Sequence, residues 1–399
     1  MRVLTVIAMA MAIAPVASAE PNPVDLRIGA SFFARYEVRE NYQSAGFAGR
    51  RIGELDGTAY RARIGLQTTP IEIADDRTVV VEFTPQASGF FGDVSGGLAD
   101  AALGVHEANI ELSASSMRLE VGRFEMAYGD HLVIGDVGWH ETGRAFDGLR
   151  FRLSGKGATV DSFVTQISEG SGAAATAPGA GDLYFAGVYG AVGPLLSEGL
   201  TADGYLLANI APPEPMAADF TAIEVTAGTR LVREFGRVTA RTEAGIQFGK
   251  RPTADETVFD FQVDGGAMVD AGSGVKVGAS GFYASSEYNQ LYPTAHKFLG
   301  MMDVMGGRSN VFGTVAKVRV PIAPKLSGAL DIHAFFRPET EPDVDAYTGV
   351  EGDLWGKLVL GKGLGLRAQY SLFLPNASGP LGTGVSIHYF ELQLRFDLR

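Results

Sequence analysis

The sequence predicts an all-β protein, a transmembrane antiparallel up-and-down β-barrel of about 18 strands. Three observations carry that prediction. Apolar and polar residues alternate over segments of about ten positions or more, whereas ordinary globular strands run to about five or six. The segments number 18, and single-chain bacterial barrels have even counts. Their connections also sort by parity, from 9 to 26 residues after odd segments and from 3 to 10 after even ones. Short turns on one rim and long loops on the other are the construction of such barrels.

Residues 1–19, MRVLTVIAMAMAIAPVASA, carry one charge at Arg2, an apolar run from Val3 to Ala14 and an Ala17-Ser18-Ala19 cleavage pattern. They read as a secretory signal peptide, with the barrel domain occupying 20–399. Losing Arg2 leaves 32 Lys and Arg against 46 Asp and Glu, a charge of −14. The first strand, 24–40, sets Leu26, Ile28, Ala30, Phe32, Ala34, Tyr36 and Val38 against Arg27, Ser31, Arg35, Glu37 and Arg39. Strand 58–69 sets Tyr60, Ala62, Ile64 and Leu66 against Arg61, Arg63 and Gln67. The same alternation, of varying strictness, places strands at 78–86, 105–113, 117–128, 146–153, 158–167, 183–192, 200–209 and 222–232. Strand 238–248 opposes Val238, Ala240, Ala244, Ile246 and Phe248 to Arg241, Glu243 and Gln247. Further strands fall at 258–264, 275–284, 311–320, 326–336, 349–358 and 364–374. In the last, 387–398, Phe390, Leu392, Leu394, Phe396 and Leu398 alternate with Glu391, Gln393, Arg395 and Asp397. Apolar faces end in Tyr36, Tyr60, Tyr128, Tyr283 and Tyr370, where interfacial aromatic girdles belong. Both termini are expected in the periplasm, so the long loops face outward.

Composition agrees. With 46% hydrophobic residues the chain is not disordered, and a mean hydropathy of +0.09 with no long apolar run after residue 19 excludes spanning helices. The 52 Gly follow no collagen period, and a pI near 5.0 argues against nucleic acid. With no Cys, disulfides and thiolate metal sites are excluded. A secreted soluble β-protein would also alternate, but its strands would lack paired Arg and acids over ten positions. No HExxH, GxSxG, P-loop or dinucleotide motif occurs, so no catalysis, cofactor or metal is expected. The Gly/Ala run 170–181 reads as an outer loop.

Leu119 to Asp130 (LEVGRFEMAYGD), then Trp139 and Phe146-Asp147-Gly148, resembles the alginate export family of outer-membrane porins. Gln290 to His296 (QLYPTAH), followed by Gly300 and Asp303, is similar to that family's YPT.H loop, and Leu330 to His333, Gly352 to Leu354 and Tyr370 to Phe373 to its last strands. The resemblance implies an 18-stranded barrel and marks Tyr128, Gly129, Asp130, Trp139, Asp147, Tyr292, Pro293, His296 and Asp303 as motif residues. It also implies passage of an anionic polysaccharide through an Arg-lined lumen, where guanidinium groups hold carboxylates bidentately and hand them on.

The chain carries 25 Arg against 8 Lys. Arg35, Arg39, Arg61, Arg63, Arg118, Arg123, Arg150, Arg152, Arg230, Arg241, Arg319 and Arg367 are expected to line the lumen, with Asp331, His333, Glu351 and Asp353 beside them as solute contacts. Acids such as Glu37, Glu82, Glu107, Glu120, Asp161 and Glu243 are about as numerous there, which predicts a transverse field. The connection 193–199 is short, so gating falls to loops 87–104 and 285–310. Expected partners are outer-membrane lipid, the barrel assembly machinery and a charged or polar solute, an anionic exopolysaccharide among the candidates, with the protein a monomer. Small-metabolite uptake and a closed structural or adhesive barrel are the alternatives.

Overall fold

The computed structural model describes residues 24–42, 55–91, 102–168, 182–193, 198–212, 221–251 and 257–398. The leader 1–19, the run 170–181 and most of loop 87–104 lie outside the described residues. The strands are β1 (Leu26–Glu40), β2 (Leu55–Thr68), β3 (Ile71–Ala74), β4 (Arg77–Phe91), β5 (Ala102–Ala114), β6 (Met117–Phe124), β7 (Phe146–Gly155), β8 (Ala158–Ser168), β9 (Leu183–Val192) and β10 (Leu200–Ala211). There follow β11 (Ala222–Phe235), β12 (Val238–Lys250), β13 (Thr257–Gly272), β14 (Val275–Ala284), β15 (Val311–Ala323), β16 (Leu326–Phe336), β17 (Tyr347–Gly361), β18 (Leu364–Pro375) and β19 (Ile387–Leu398).

All are antiparallel, and β1 pairs with both β2 and β19, so the sheet closes on itself. Segments β2 and β3 are one stave, since both pair with β4. The break falls at Pro70, which has no N–H to give the ladder. Beside it the N–H of Thr69 donates to the Asp25 carbonyl at 2.8 Å, and Thr68 Oγ1 accepts from the N–H of Val81 at 3.0 Å. Counting that stave once gives the 18 expected.

Alternation decides which way each side chain points. Phe259, Leu206, Ile64 and Leu354 are 72%, 54%, 53% and 57% accessible on the outside, while Asp260, Glu243, Asp353 and Gln369 are buried within. An apolar exterior around a polar interior is built for a bilayer. Tyr36, Tyr60, Tyr283 and Tyr370 point outward as the girdle reading requires, Tyr60 stacked on Phe91 at 4.6 Å.

Several strands run further than their patterns suggested, and most short-rim connections shrink to two residues. Gly265 and Gly266 read as turn residues but lie mid-strand in β13, where a Cβ on Gly266 would collide with Ser280 of β14. The true turn is Ser273-Gly274, with φ of 52° and 76°, the left-handed pair that a two-residue hairpin needs. Strand 117–128 ends early, at Phe124. From Glu125 the chain turns inward, so Tyr128 is not a girdle residue; it is buried in the lumen.

The long connections 125–145 and 285–310 do not project outward. Both fold into the barrel and meet there. Ile134 and Tyr292 form a parallel bridge; the N–H of Tyr292 donates to the Val133 carbonyl at 3.0 Å and that of Gly135 to the Tyr292 carbonyl at 2.8 Å. Each segment carries an apolar cluster against its own wall. Val133, Ile134, Met126 and Tyr128 pack on Phe146, Phe163, Phe185 and Leu207, whereas Leu299, Met302, Val304 and Met305 pack on Phe282, Phe335, Phe373 and Ile387. The hydrophobic core therefore lies inside the tube.

Candidate functional site

The infolded segments are held by the arginines that the sequence placed in the lumen. Arg61 donates to the carbonyls of His140 at 2.8 Å and Gly138 at 3.1 Å; Arg35 donates to Glu37 and to the Trp139 carbonyl. Arg63 reaches Gln86 at 2.7 Å, Glu125 at 3.3 Å and the Thr142 carbonyl at 3.1 Å. Arg144, within the first segment, donates to the carbonyls of Tyr292 and, at 2.9 Å, Pro293 in the second. Asp130 receives both Arg230, at 3.0 and 3.1 Å, and Arg241. Burial raises the Asp130 carboxyl, but these two guanidiniums hold it below the usual carboxylate range. A guanidinium suits this work because its five donors satisfy backbone carbonyls that an infolded loop would otherwise leave unpaired.

Other expected lumenal arginines pair along the wall. Arg39 bonds Glu37, Arg150 bonds Glu120, and Arg152 grips Asp161 through contacts of 2.6 and 2.7 Å. Arg123 is a correction: it shares a face with outward Val121 and pairs at 2.7 Å with Asp147, equally outward. Strand parity puts it there, since Glu120 and Phe124 take the inward positions. A bulge at Pro85 brings His106 inward beside Glu107, and His106 then bonds Glu125.

Apart from Asp147, which faces outward, the motif residues converge in the lumen although about 150 positions separate the two groups. Tyr128 donates to Asp161 at 2.7 Å and stacks on Tyr189 at 4.5 Å, which stacks on Tyr205 at 5.7 Å. Gly129, at φ +54°, leaves no room for a Cβ between Arg230 and the Tyr189 hydroxyl. Tyr292 donates to Asn209 at 3.0 Å, and Trp139 stacks on His296 at 4.2 Å between centroids. His296 Nδ1 lies 3.1 Å from Asp303. Below the second segment the N–H groups of Met302 and Met301 donate to Glu351 at 2.9 Å and Asp353 at 3.4 Å, and His333 lies 3.5 Å from Asp353. The tyrosine stack needs Gly228, where a Cβ would enter the Tyr205 ring. Gly228→Val is expected to lower stability by about 1–3 kcal/mol, read as an earlier melting transition in detergent.

Among the described residues, a cavity of about 400 Å³ lies between the first infolded segment and Arg61 and Arg63, and two more flank the contact between the two segments. One, about 340 Å³, lies toward the long-loop end and includes Arg39, Tyr42 and Tyr389; the other, about 800 Å³, lies toward the short-turn end and includes Lys317, Lys357 and Arg367. Trp139, His296 and Met301 line both and so form the partition. In the larger cavity the Trp355 ring lies 5.4 Å from the Arg319 guanidinium and 5.5 Å from that of Arg367. Arg319 is neutralised by Asp331, but among the described residues Lys317 and Lys357 have no carboxylate in ion-pair range. Lys357 stands directly across the ladder from Arg367, whose guanidinium lies 3.7 Å from the Glu391 carboxylate. Lys317, Trp355 and Lys357 were not singled out from sequence, although Trp355 and Lys357 share the inward parity of Glu351 and Asp353.

On the outer face Ser386 Oγ is 3.0 Å from His388 Nε2, and the Tyr370 hydroxyl 2.8 Å from Nδ1. A phenol rather than a carboxylate backs the imidazole, as suits girdle hydrogen bonding.

No family model matches the sequence, and no curated protein is significantly similar to it. Solved structures do match. OccK1 (OpdK) of Pseudomonas aeruginosa superposes with a TM-score of 0.68 at 12% identity, over 94% of this chain and 98% of that one. OccK8 (OprE) of the same organism gives 0.67 at 12%, and OccAB4 of Acinetobacter baumannii 0.66 at 10%, each over 94% and 98%. OpdK has also been solved with vanillate, and that structure matches with a TM-score of 0.66 at 12% identity, over 94% and 98%. At such identities the likeness establishes the fold, that of 18-stranded outer-membrane porins. The alginate export resemblance finds no support among these matches.

Proposed function

We propose that the protein is an outer-membrane channel for small polar solutes, with a preference for anions, and that its aperture lies at the seam between the two infolded segments. The observation that carries this reading is the pair of cavities meeting at Trp139, His296 and Met301, one of them lined by Lys317 and Lys357, which have no carboxylate in ion-pair range among the described residues. An extended polysaccharide needs a continuous lumen, and two packed segments interrupt this one; small-metabolite passage therefore fits better than alginate export. Vanillate, an aromatic carboxylate found with OpdK, has the size and charge that the larger cavity suits. Balanced ion pairs elsewhere on the wall leave Lys317 and Lys357, rather than the Arg ladder as a whole, to set selectivity.

The test is the reversal potential across a planar bilayer under a salt gradient. Wild type is expected to favour chloride, and Lys317→Glu combined with Lys357→Glu to shift the preference toward potassium. A strongly cation-selective wild type overturns the anion preference, and a barrel that conducts nothing overturns the channel.

A further inference from the structure

The partition between the cavities contains one titratable ring, and it sits where the two infolded segments touch. Trp139 belongs to 125–145; His296 and Asp303 belong to 285–310. The indole and imidazole rings stack at 4.2 Å and 19°, with His296 Nδ1 3.1 Å from the Asp303 carboxylate. His296 lies in the short turn Ala295–Lys297, not on the wall.

We propose that the Trp139–His296 stack is a proton-dependent shutter: protonation of His296 locks the seam shut, and the neutral ring lets it part. The proposal rests on reading the seam as the aperture. An imidazolium is attracted both by the face of Trp139 and by Asp303, whereas the neutral ring has only stacking and one hydrogen bond. Parting the rings forfeits the cation–π contact, so the closed seam binds the proton more tightly than the open one. By linkage, closure is then favoured as pH falls. An ordinary imidazole changes charge between pH 5 and 8.

Charged groups face the ring from several elements. Arg35 lies 5.7 Å from the Trp139 ring, but its charge is met by Glu37. Lys297, next in the chain, donates to the Asp130 carbonyl at 3.0 Å. His140 meets Trp139 edge-on at 5.5 Å, with Glu141 3.4 Å from its Nε2. From below, Glu351 and Asp353 hold the N–H groups of Met302 and Met301, with His333 behind Asp353. Lys317 and Lys357 share the larger cavity with the ring, and Arg144 the smaller one.

Two measurements test this on the full-length barrel. In bilayers, the open probability of wild type is expected to fall several-fold between pH 8 and pH 5, and His296→Gln, which keeps a hydrogen-bonding partner for Asp303 without the charge, to lose most of that fall. The chain has only 2 Trp, so Trp355→Phe isolates the emission of Trp139, which should be quenched through the same pH range and not in the His296→Gln background. A pH response that survives His296→Gln but vanishes in Glu351→Gln or Asp353→Asn overturns the shutter in favour of the acid pair. A wild-type channel indifferent to pH overturns the shutter alone; a barrel silent at every pH overturns it together with the channel reading.

Discussion

Replacing residues 289–308 with a short glycine linker will raise the unitary conductance several-fold. The splice is geometrically easy, because the chain enters and leaves the lumen at one point. The N–H of Asn310 donates to the Ser285 carbonyl at 2.8 Å, and the Ser309 hydroxyl to the Ser286 carbonyl at 2.7 Å. The excision removes His296 and Met301, two of the three residues lining both cavities, and with them one wall of the partition. It also strips the cover from Phe282, Phe335 and Phe373, so the melting temperature will drop. The barrel will survive, because its ladder is continuous through β14 and β15 without the loop. Unchanged conductance would place the aperture elsewhere.

Asp130→Asn will loosen the first infolded segment. The carboxylate is shared by Arg230 and Arg241, and the amide leaves both short of a counter-charge. Each keeps a second partner, Asp203 for Arg230 and Asp264 for Arg241. The loss is therefore nearer that of charge-assisted hydrogen bonds, about 2–3 kcal/mol, than of a fully orphaned ion. Its pH dependence has a definite sign. A carboxyl held below its unfolded value contributes stability above that value and loses it as pH falls through the folded one. The gap between variant and wild type should thus be full at neutral pH and close on strong acidification, as read from thermal melts across pH. A gap constant down to the most acidic melts would mean that Asp130 acts by shape alone.

What the sequence discloses here is local. Alternation in 238–248 or 387–398 assigns every inward and outward position correctly, because neighbouring staves fix one another's register and a slip of one residue would turn charges to lipid. Infolding is not local. Arg230 and Asp130 are 100 positions apart, and no periodicity links them. A signal was nevertheless present: Leu299-Gly-Met-Met-Asp-Val-Met305 is far too apolar for a loop in water, and Val133-Ile134 repeats the anomaly. The lumenal arginines were legible as inward charges; that their partners are carbonyls of the same chain, rather than a passing solute, was not. Arg123 was expected in the lumen, but it shares the outward parity of Val121, whereas Glu120 and Phe124 point inward.

The plug is contributed by two distant parts of the chain, the first before β7 and the second before β15. Ile134 has no Tyr292 to meet until most of the staves exist. A sheet of β1–β14 is not yet a tube, since closure is the β1–β19 pairing, and it carries only the first of the two segments, so barrel closure and completion of the plug both depend on the C-terminal third of the chain.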